Sequence, residues 1–588
     1  MIEVRYSRDF HAIQVVSTSH KELWPSISRA FEENAQDVQE LSAYSLQLPV
    51  WEFLSCRKSL KYNLEKYQLE LVVDDEVKQI LAKANENEIR YHDALSAQPV
   101  SEEVLIEKLR MNGFIRKLTD EQTRNVRKLA SLPSGATFSV PGAGKTTEAL
   151  ALFSYKRKPG ERLLVVCPKN AFAAWEEQTS LCIGSLFKVV RLVGGEKSIR
   201  RSLDTNPDIM LVTYQQLPNV KNLLADFLLT HSTFMFLDES HRIKRGAGGQ
   251  WANTILSISH LPSLKLIMSG TPLPNSISDL IPQISFIFPE VNINSGSIKE
   301  IIKPIFVRTT KHELKLPEVH RIFTPVSMGL KQKEFYELLR SEDARQLANI
   351  PSKDRNALRV IGRSVIRLLQ LVSNPALLAK EQVAFSDELF DVFSEGDGPK
   401  IEYACHKARE LAAKGQKVII WSNFVENVET ISARLVDLGA DYIHGGVEAG
   451  SEEEEDTREW KIKKFHQDEK SYVLVANPAA CGEGISLHTI CHNAIYIDRN
   501  YNAAQYLQSE DRIHRLGLPP DVITTVEILF SPDTVDESVS RRLVSKVSQM
   551  AMVLDDKSLN IEPFEPDLDS DGLTTDDAED FIKHLKRM

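Results

Sequence analysis

Two carboxylates and a histidine follow an apolar run in the stretch FMFLDESHRIKR, which ends at residue 245. At the end of a buried strand, Asp238 could hold Mg²⁺ through water, and Glu239 could orient and deprotonate an attacking water molecule. Carboxylates are also common where a strand simply leaves a sheet, as a polar cap. This stretch alone leaves the catalytic site and the strand cap equally open.

A glycine-rich turn, PGAGKTTEALALF, follows the strand-like run ATFSV and opens an apolar helix pattern. Such a turn directs backbone N–H groups and the positive end of a helix at phosphate, while a lysine neutralises charge and a hydroxyl binds Mg²⁺. Ser139 occupies the first glycine position of the strict GxxxxGK(S/T) pattern, so an ordinary glycine-rich turn remains the alternative. The candidate nucleotide-binding residues are Gly142, Ala143, Gly144, Lys145, Thr146 and Thr147, and the candidate Mg²⁺ ligands are Thr146 and Asp238.

Composition sets the class of protein. A chain of 588 residues exceeds one hydrophobic core, which predicts about three or four domains. A net charge of −11 excludes a uniformly basic coat for nucleic acid and leaves room for a local basic groove. The six cysteines have no CxxC pair, which predicts reduced thiols in a cytoplasmic protein. Without a signal peptide or an apolar run of about 20 residues, no membrane partner is expected.

Short apolar strands alternate with helix patterns in two stretches of the chain, as in parallel sheets covered on both faces. RLLVVC, IMLVTY, FMFLD and LKLIMS belong to the first stretch, and QKVIIWS, SYVLVAN, NAIYIDR and TTVEILF to the second. We predict an α/β fold with two doubly wound lobes. The predicted domains are a small α+β domain at 1–115, the first lobe at 116–315, a helical connector at 316–395, the second lobe at 396–550 and an acidic tail at 551–588.

Charge runs have two interpretations each. The run EEEED at 452–456 and the tail after about residue 559 are acidic and poor in apolar residues, which predicts solvated segments. Mimicry of DNA by the tail is the alternative. The basic runs at 194–201 and 242–245 could contact phosphate, and an ordinary solvated face is the alternative.

The order of the motifs is more specific than any one of them. After the glycine-rich loop (the P-loop) come VVCPKNAFAAWEEQ, LVTYQQL, LDESHRIKR and MSGTPLPNSISDL, then VIIWSNF, NPAACGEGISL and QSEDRIHRLG. This series resembles the Swi/Snf branch of superfamily-two helicases and translocases over about residues 116–550. Features typical of the branch are Trp175 after VVCP, Asn275 after SGTP, the segment PIFVRTTKHELKLP, SNP at 373–375 and the histidine of DRIHR.

The resemblance implies two RecA-like lobes that clamp ATP, with a nucleic acid crossing both. It implies that Lys145 holds the β and γ phosphates, that Thr146 and Asp238 bind Mg²⁺, and that Glu239 positions the water. Gln122 stands where the family recognises adenine, although a glutamine near a helix start is otherwise an ordinary surface residue.

From the second lobe, Arg512 and Arg515 would reach the nucleotide and stabilise the negative charge of phosphoryl transfer. The implied residues that couple the nucleotide to movement are His241, Ser269, Gly270, Thr271 and Gln508. For His241 and residues 269–271, plain support of the site by packing is the alternative.

The resemblance also implies a nucleic-acid track of small residues and loop amides, which approach backbone phosphates without recognising bases. The track residues are Pro168, Lys169, Thr213, Ser422, Asn423, Gly482, Gly484 and Ser486. Three departures affect the second lobe. Cys481 and Ser486 stand where the family usually has glycine and asparagine, and NYNAA at 500–504 stands where it has tryptophan-asparagine-proline.

The N-terminal segment resembles the HARP-type domain that precedes the motor in annealing helicases, through DFHAIQVV, LWPSISRAF and LPVWEFL. Trp24 and Trp51 could stack on bases at a DNA junction, and core packing is the alternative for both.

These observations predict an ATP-dependent DNA translocase of Swi/Snf type that uses ATP and Mg²⁺ and moves on duplex or branched DNA. Repair or genome defence, with proteins of such a system as further partners, is the expected setting. One alternative is a strand-separating helicase acting on DNA or RNA. Another is an ATP-gated module that binds a DNA structure and recruits partners.

Overall fold

The computed structural model divides the chain into two units. The first unit comprises residues 1–273 and 277–310, and the second comprises residues 274–276 and 311–588. The structure describes residues 1–32, 35, 37–96, 98–244, 249–291, 293, 296–348, 355–380, 386–448, 450, 453–481, 485–519, 521–556, 559, 581–582 and 584–585.

A mixed five-stranded sheet with helices on it forms the N-terminal part of the first unit. In strand order β3-β4-β2-β1-β5, β1 and β5 pair in parallel and the other neighbours are antiparallel. Alternation along IEVRYS buries Ile2 and Val4 in one core with Phe31 of α1 and Phe53 of α2. The elements are β1 (Ile2–Ser7), β2 (Ala12–Ser17), α1 (Trp24–Glu32), β3 (Gln39–Ser42), β4 (Ser45–Pro49), α2 (Val50–Lys66), β5 (Leu71–Val73), α3 (Asp75–Ser96) and α4 (Glu102–Met111). The predicted small α+β region is confirmed.

This α+β region packs on the rest of the first unit through cations that cap loop carbonyls. The Lys83 ammonium donates to the carbonyls of His260, Leu261 and Pro262 at 2.9, 3.1 and 3.1 Å. Arg57, on α2, donates to the carbonyl of Glu290 at 2.9 Å. The N-terminal sheet is therefore fastened to the predicted first lobe within one unit.

A parallel sheet forms the remainder of the first unit, with seven strands among the described residues in the order β12-β6-β11-β10-β7-β9-β8. Runs such as IMLV are buried along their whole length because helices cover both faces of the sheet. The strands are β6 (Gly135–Thr137), β7 (Arg162–Val166), β8 (Val189–Arg191), β9 (Ile209–Val212), β10 (Thr233–Asp238), β11 (Leu264–Met268) and β12 (Phe306–Val307). The helices are α5 (Asp120–Ser131), α6 (Lys145–Lys156), α7 (Phe172–Ile183), α8 (Glu196–Asp204), α9 (Lys221–Thr230), α10 (Gln250–Ser257), α11 (Leu280–Ile287) and α12 (Ile298–Ile302).

The second unit contains another parallel sheet, with six strands among its described residues in the order β13-β18-β17-β14-β16-β15. The strands are β13 (Val319–Pro325), β14 (Val418–Trp421), β15 (Asp441–Ile443), β16 (Val473–Ala476), β17 (Asn493–Tyr496) and β18 (Thr524–Phe530). The helices are α13 (Leu330–Ala348), α14 (Arg355–Ser373), α15 (Ser386–Ser394), α16 (Pro399–Ala413), α17 (Val425–Arg434), α18 (Arg458–Gln467), α19 (Pro478–Cys481), α20 (Ala503–Glu510) and α21 (Val535–Leu554). The predicted α/β fold with two doubly wound lobes is confirmed.

The segment 316–395 differs from the sequence expectation at its start. Helices α13, α14 and α15 form as predicted, but residues 319–325 form an edge strand that pairs in parallel with β18. The half-exposed alternation of VHRIFTP is a weaker signal than the fully apolar strands, because one side of an edge strand stays open to solvent.

The end of the chain corrects the prediction of a wholly solvated tail, of which residues 560–580 lie outside the described part. Phe581 and Leu585 are buried in a cluster with residues of α13, α14 and α21. The Tyr336 hydroxyl hydrogen-bonds His584 Nε2 at 2.8 Å and accepts the N–H of Val535 at 2.7 Å. In FIKHL the apolar residues Phe581 and Leu585 are four positions apart, as on one face of a helix. The acidic composition of the stretch before them favoured the prediction of a solvated tail. In the run EEEED, by contrast, residues 453–456 are exposed as predicted.

All six cysteines are buried free thiols, which agrees with the absence of paired spacing in the sequence. Among the described residues, no helix has both the length and the apolar character needed to cross a membrane.

Replacement of Phe581 by alanine tests the packing of the chain end. We expect Phe581→Ala to lower the free energy of unfolding of the second unit by about 3 kcal/mol, because it opens a cavity in a closed core. Urea unfolding, monitored through hydrogen exchange of α14, measures the change in the free energy of unfolding. Phe390→Ala is the matched control, since Phe390 on α15 is 72% exposed. Equal effects of the two substitutions would contradict the packing.

Candidate nucleotide-binding site

Five motif loops leave the same edge of the first-unit sheet. Strands β6, β11, β10, β7 and β9 are consecutive parallel neighbours, so their carboxyl ends lie side by side at steps of about 4.8 Å. In that order the ends lead into the P-loop, the SGT triplet, the DESH stretch, Pro168 and Thr213. Motifs that are spread from Gly142 to Thr271 in the sequence are thereby brought to one line.

The P-loop has the backbone that its glycines predict. Gly142 and Gly144 both have φ of 87°, a conformation that a side chain would strain. A Cβ on Gly144 would also collide with the Gln122 side-chain amide. Helix α6 starts at Lys145, so its free N–H groups and positive end face the loop. This arrangement is a phosphate cradle.

Gln122 lies directly beside this cradle. Its Nε2 donates to the carbonyl of Ala143 at 3.1 Å, and its Oε1 accepts the N–H of Thr119 in a capping box at the start of α5. The residue is buried and is not the ordinary surface glutamine that the sequence left open. Adenine recognition by its amide stays a prediction.

The hydroxyls and the lysine of the P-loop take different positions. Lys145 Nζ donates to the carbonyl of Ser139 at 3.0 Å, which curls the ammonium over the loop. Thr146 is partly exposed beside it, where a Mg²⁺ ligand must be. Thr147 points the other way, since its hydroxyl is buried and donates to Gln178 at 3.2 Å. Its side chain therefore supports α6 rather than lining the cradle.

A buried polar network lies beneath the P-loop, and sequence reasoning did not find it. Asn125 Nδ2 donates to Glu148 Oε1 at 2.7 Å and to the Thr309 hydroxyl at 2.9 Å. The Ser139 hydroxyl accepts the Thr309 N–H at 3.0 Å and the Thr137 hydroxyl at 3.2 Å. The serine that departs from the glycine pattern is thus a member of this network.

Glu148 is the titratable member of the network. Burial raises the pKa of its carboxyl to about 7, although hydrogen bonds from Asn125 and Thr137 and the charges of Lys145 and Arg124 oppose the rise. Glu148 Oε2 lies 2.7 Å from the Thr137 hydroxyl, which can in turn donate to Ser139 when the carboxyl is protonated.

Asp238 is held at the end of β10 by groups from two neighbouring elements. Its Oδ2 accepts the indole N–H of Trp175 at 2.9 Å, and its Oδ1 accepts the N–H of Glu239 at 3.0 Å. The Tyr214 hydroxyl donates to its main-chain carbonyl at 2.7 Å. Trp175 was recognised only as a feature of the branch, and here it orients the candidate metal carboxylate.

Glu239 has a strained backbone at the point where the strand ends. Its φ of 52° and ψ of 50° lie in the left-handed region, a cost of order 1 kcal/mol that is frequent at functional sites. Burial opposes ionisation, but His241 and the charges of Lys145 and Arg242 outweigh it and lower the pKa of Glu239 to about 2. Its carboxylate is therefore ionised at neutral pH and able to accept a proton from water.

His241 connects the carboxylate to the SGT triplet. Its Nδ1 lies 3.3 Å from Glu239 Oε2 and 3.0 Å from the Ser269 hydroxyl. The same hydroxyl accepts the N–H of Thr271 at 3.1 Å. Gly270 packs on the P-loop so closely that a Cβ would lie 2.9 Å from Cδ of Pro141. The predicted coupling residues of the first unit thus form one contiguous chain of contacts.

The donor set fits a magnesium nucleotide. Among the described residues, no group of three or more His, Cys, Asp or Glu side chains is placed to hold a metal ion. Mg²⁺ needs only one or two carboxylates when phosphate oxygens and water complete its octahedron. On the protein side, Asp238 and Thr146 would hold it.

The first-unit track residues stand at the ends of β7 and β9. Pro168 is buried, whereas Lys169 after it is exposed. The Thr213 hydroxyl accepts the N–H of Gln216 at 3.1 Å. Lys169 is thus the charged side chain of this set that faces solvent.

In the second unit, Ser422 and Asn423 surround Asp498. The Ser422 hydroxyl donates to Asp498 Oδ2 at 2.6 Å, and both the N–H and the side-chain amide of Asn423 donate to Oδ1 at 2.7 and 2.9 Å. Ser373 of SNP donates to the same carboxylate at 2.6 Å. Ser422 is fully buried, so its side chain positions the loop, and any phosphate contact there falls to neighbouring backbone or to Asn423.

Gly482 and Gly484 lie outside the described residues. Ser486 follows them, and its hydroxyl hydrogen-bonds His488 Nδ1 at 2.9 Å. Arg512 is buried and donates to the carbonyls of Gln508 at 2.8 Å and Ile485 at 2.9 Å. In this conformation Arg512 therefore ties α20 to the segment before Ser486.

Arg515 differs from Arg512 because it is partly exposed. Among the described residues, its guanidinium has no hydrogen-bond or ion-pair partner. Of the two predicted arginines, Arg515 is the more exposed.

The loop that holds these arginines is anchored by residues that sequence reasoning missed. Arg321 on β13 forms two hydrogen bonds with Glu510, at 3.0 and 2.8 Å, and Lys311 pairs with Asp511 at 2.5 Å. Burial is outweighed by these cations, which lower the pKa of Glu510 to about 2. The sequence signal for Lys311 is the segment PIFVRTTKHELKLP, which is typical of the branch and contains this lysine.

Two family models match the chain in the order of its two parallel sheets. The model described as SNF2-related domain matches residues 133–297, and the one described as helicase conserved C-terminal domain matches residues 400–517. The chain therefore contains the SNF2-related and helicase C-terminal domains of a Swi/Snf-type ATPase. The P-loop and the DESH stretch lie in the first matched region, and the arginine motif lies in the second.

Known Swi/Snf relatives are distant and longer. Nuclear protein STH1/NPS1 of Saccharomyces cerevisiae is 22% identical over 525 residues, which are 80% of this chain and 36% of that protein. The human SWI/SNF-related matrix-associated actin-dependent regulator of chromatin subfamily A member 1 is 24% identical over 491 residues, 75% of this chain and 44% of that protein. The chain thus spans less than half the length of either. The solved Sulfolobus solfataricus SWI2/SNF2 ATPase core in complex with dsDNA is 20% identical, with 76% of this chain and 94% of that chain covered and a TM-score of 0.32.

The buried network beneath the P-loop predicts a pH-dependent stability. Below its unfolded value of 4.5, the Glu148 carboxyl is protonated in both states. As the pH rises from there to about 7, the unfolded chain loses the proton first, so stability falls, and the full penalty applies above pH 7. Glu148→Gln mimics the protonated acid, so we expect a gain on the order of 3 kcal/mol at pH 8 and little gain at pH 5.

Urea unfolding at both pH values measures this difference. Glu107→Gln is the control, because Glu107 is exposed on α4 of the same unit. The same gain at pH 5 and pH 8 would show that Glu148 does not titrate as assigned.

Proposed function

We propose that this chain is an ATP-dependent DNA translocase, which couples ATP hydrolysis to movement along duplex or branched DNA. The observation that supports it is the shared sheet edge. The P-loop, SGT and DESH loops occupy β6, β11 and β10, and the first track residues continue the same edge on β7 and β9. A change at the nucleotide is therefore adjacent to the candidate DNA contacts within one rigid sheet.

The proposed chemistry divides among five side chains. Lys145 neutralises phosphate charge, and Glu239, ionised and held by His241, orients the attacking water and accepts its proton. Bound Mg²⁺ supplies charge neutralisation between phosphate oxygens when Asp238 and Thr146 hold it. Because the loop carbonyl of Ser139 already accepts from Lys145, the ammonium is preorganised.

We propose that a structural change at the nucleotide is transmitted from Glu239 through His241 to Ser269. One ring nitrogen of His241 is within reach of both the water-activating carboxylate and the SGT hydroxyl, so a change at the γ-phosphate reaches β11 directly. Residues with loop amides and small side chains then contact DNA through its backbone, which suits movement along any sequence. Repair or genome defence is the proposed setting.

Replacement of Glu239 tests the proposed activity. We expect purified protein to show an ATPase stimulated by DNA, and Glu239→Gln to abolish it while ATP binding persists, because the amide cannot accept the proton. Glu196→Gln is the control, since Glu196 is exposed on α8 and pairs with Arg200 one turn along. An absent DNA-stimulated ATPase in the wild type would refute the proposal.

ATPase rates measured with different nucleic acids show which of them the track binds. ATPase rates with duplex, forked and single-stranded DNA and with RNA, each at two salt concentrations, should be highest with duplex or fork and fall steeply with salt. Displacement of a triplex-forming strand without fork unwinding supports translocation, whereas fork unwinding supports the helicase alternative. Biological activity retained by Lys145→Ala would favour an ATP-gated binding module.

Arg515 provides a second test, from the other unit. We expect Arg515→Ala to lower kcat by about 10³-fold with little change in DNA affinity, because an arginine that meets the transferring phosphoryl group acts mainly in the transition state. Steady-state ATPase with saturating DNA measures it. Arg541→Ala is the control, since Arg541 is exposed on α21 and donates to Ser538 at 3.2 Å. A change confined to KM would assign Arg515 to ground-state binding instead.

A further inference from the structure

A groove between α1 and α2 of the N-terminal sheet has a composition unlike the rest of this acidic chain. Its volume is about 550 Å³, within the range of small-ligand sites. The lining residues are Ser26, Arg29, Ala30, Lys58, Ser59, Tyr62, Asn63 and Tyr67. Of these described lining residues, none has a carboxylate. The groove therefore combines cations, hydroxyls and aromatic rings on a protein whose net charge is −11.

The helical spacing of α2 explains how these side chains meet. Positions 58, 59, 62 and 63 are one turn apart and share one face of the helix, while the opposite face, with Phe53, Leu60 and Leu64, is buried in the core. Because Phe53, Leu60 and Leu64 are buried in that core, the basic and aromatic face of α2 is directed towards solvent.

Two aromatic rings in this groove are accessible. Tyr62 is 65% exposed, so one face of its ring is open to a ligand. Tyr67 lies at the end of α2, with the Lys66 ammonium 5.1 Å from its ring centroid. The neighbouring Ser26 and Lys66 side chains lower the pKa of the Tyr67 hydroxyl, as expected of a ring surrounded by donors and positive charge.

The tryptophans of the same region are less available. Trp24 is buried in the core of the N-terminal sheet, and Trp51 has a buried indole N–H. The stacking role considered for Trp24 from its sequence is therefore wrong, because its ring packs inside the domain. The exposed ring of Tyr62 is the candidate for that role instead.

The two cations that line the groove lie at the surface. Arg29 and Lys58 are exposed, and Lys58 also pairs with Glu88 at 2.6 Å while 73% of its side chain stays accessible. An exposed ion pair of this kind is worth less than about 1 kcal/mol, so a phosphate can displace it. The exposed cations thus favour an anionic ligand such as phosphate over an apolar one.

We propose that the groove between α1 and α2 is a second nucleic-acid site, which binds an unpaired strand. Arg29 and Lys58 contact its phosphates, and the Tyr62 ring stacks on a base. A paired base inside a duplex has no free face for this ring, so the aromatic contact selects unpaired nucleotides. The proposal rests on the proposed function only in taking nucleic acid as the partner.

The groove belongs to the same unit as the P-loop. Arg57, next to Lys58 on α2, donates to the carbonyl of Glu290, and Lys83 caps three carbonyls before β11, whose other end is the SGT triplet. A strand held in the groove is therefore fixed relative to the sheet that contains the P-loop. This would allow the protein to hold an unpaired strand at a fork while the motor acts on the duplex.

Binding of a short oligothymidylate tests the proposal with the full chain. The probe is a fluorescein-labelled strand of about 12 nucleotides, measured by anisotropy without ATP, so the result does not depend on ATP hydrolysis. We expect Tyr62→Ala to weaken binding about tenfold and Tyr62→Phe, which keeps the ring, to bind like the wild type. The double variant Arg29→Glu, Lys58→Glu should bind more weakly still, with a shallower salt dependence.

A matched pair elsewhere in the same domain serves as the control. Lys21 lies 4.6 Å from the ring centroid of Tyr44, outside the groove, so Tyr44→Ala should bind like the wild type. Photo-cross-linking with a 5-iodouracil strand should label Tyr62 or Tyr67. Equal affinity of Tyr62→Ala and the wild type, loss of binding in Tyr62→Phe, or cross-links confined to the motor sheets would overturn the proposal. An absent DNA-stimulated ATPase with intact groove binding would refute the translocase and leave this site standing.

Discussion

The site depends on the parallel pairing of β6, β11 and β10 in the first unit. Parallel strands end at the same edge, so the P-loop, the SGT triplet and the DESH stretch emerge as neighbours although they are far apart in sequence. The contacts that follow are short and specific. Gly270 packs on Pro141 from one strand end, and His241 bonds Ser269 across the next. A different strand order would separate the nucleotide from the residues that sense it.

The second constraint is the buried network beneath the P-loop. Buried polar groups are costly unless every one has a partner, so Asn125, Ser139, Glu148 and Thr309 stabilise one arrangement of the loop. Thr309 stands just before the point where the chain passes from the first unit to the second. Two residues later, Lys311 pairs with Asp511 of the arginine motif. Thr309 is thus held within the first unit and Lys311 within the second.

The two faces of α2 show how a core can determine a surface. Phe53, Leu60 and Leu64 must be buried, and this requirement fixes the direction of Lys58 and Tyr62. The same helix holds the N-terminal sheet to the motor by way of Arg57 and Glu290. Recognition of an unpaired strand and rigid attachment to the ATP-binding sheet are therefore properties of a single element.

The sequence by itself determined what is local. Fully apolar strands, the glycines that need positive φ, and the carboxylates Asp238 and Glu239 after a buried strand are each set by a few consecutive residues, so pattern and motif order predicted them. Tertiary structure alone decided which distant groups meet: Trp175 on Asp238, Ser139 in a network with Thr309, and Phe581 in the second core. Their partners lie many residues away, and strand order and helix packing, which no short pattern encodes, bring them together.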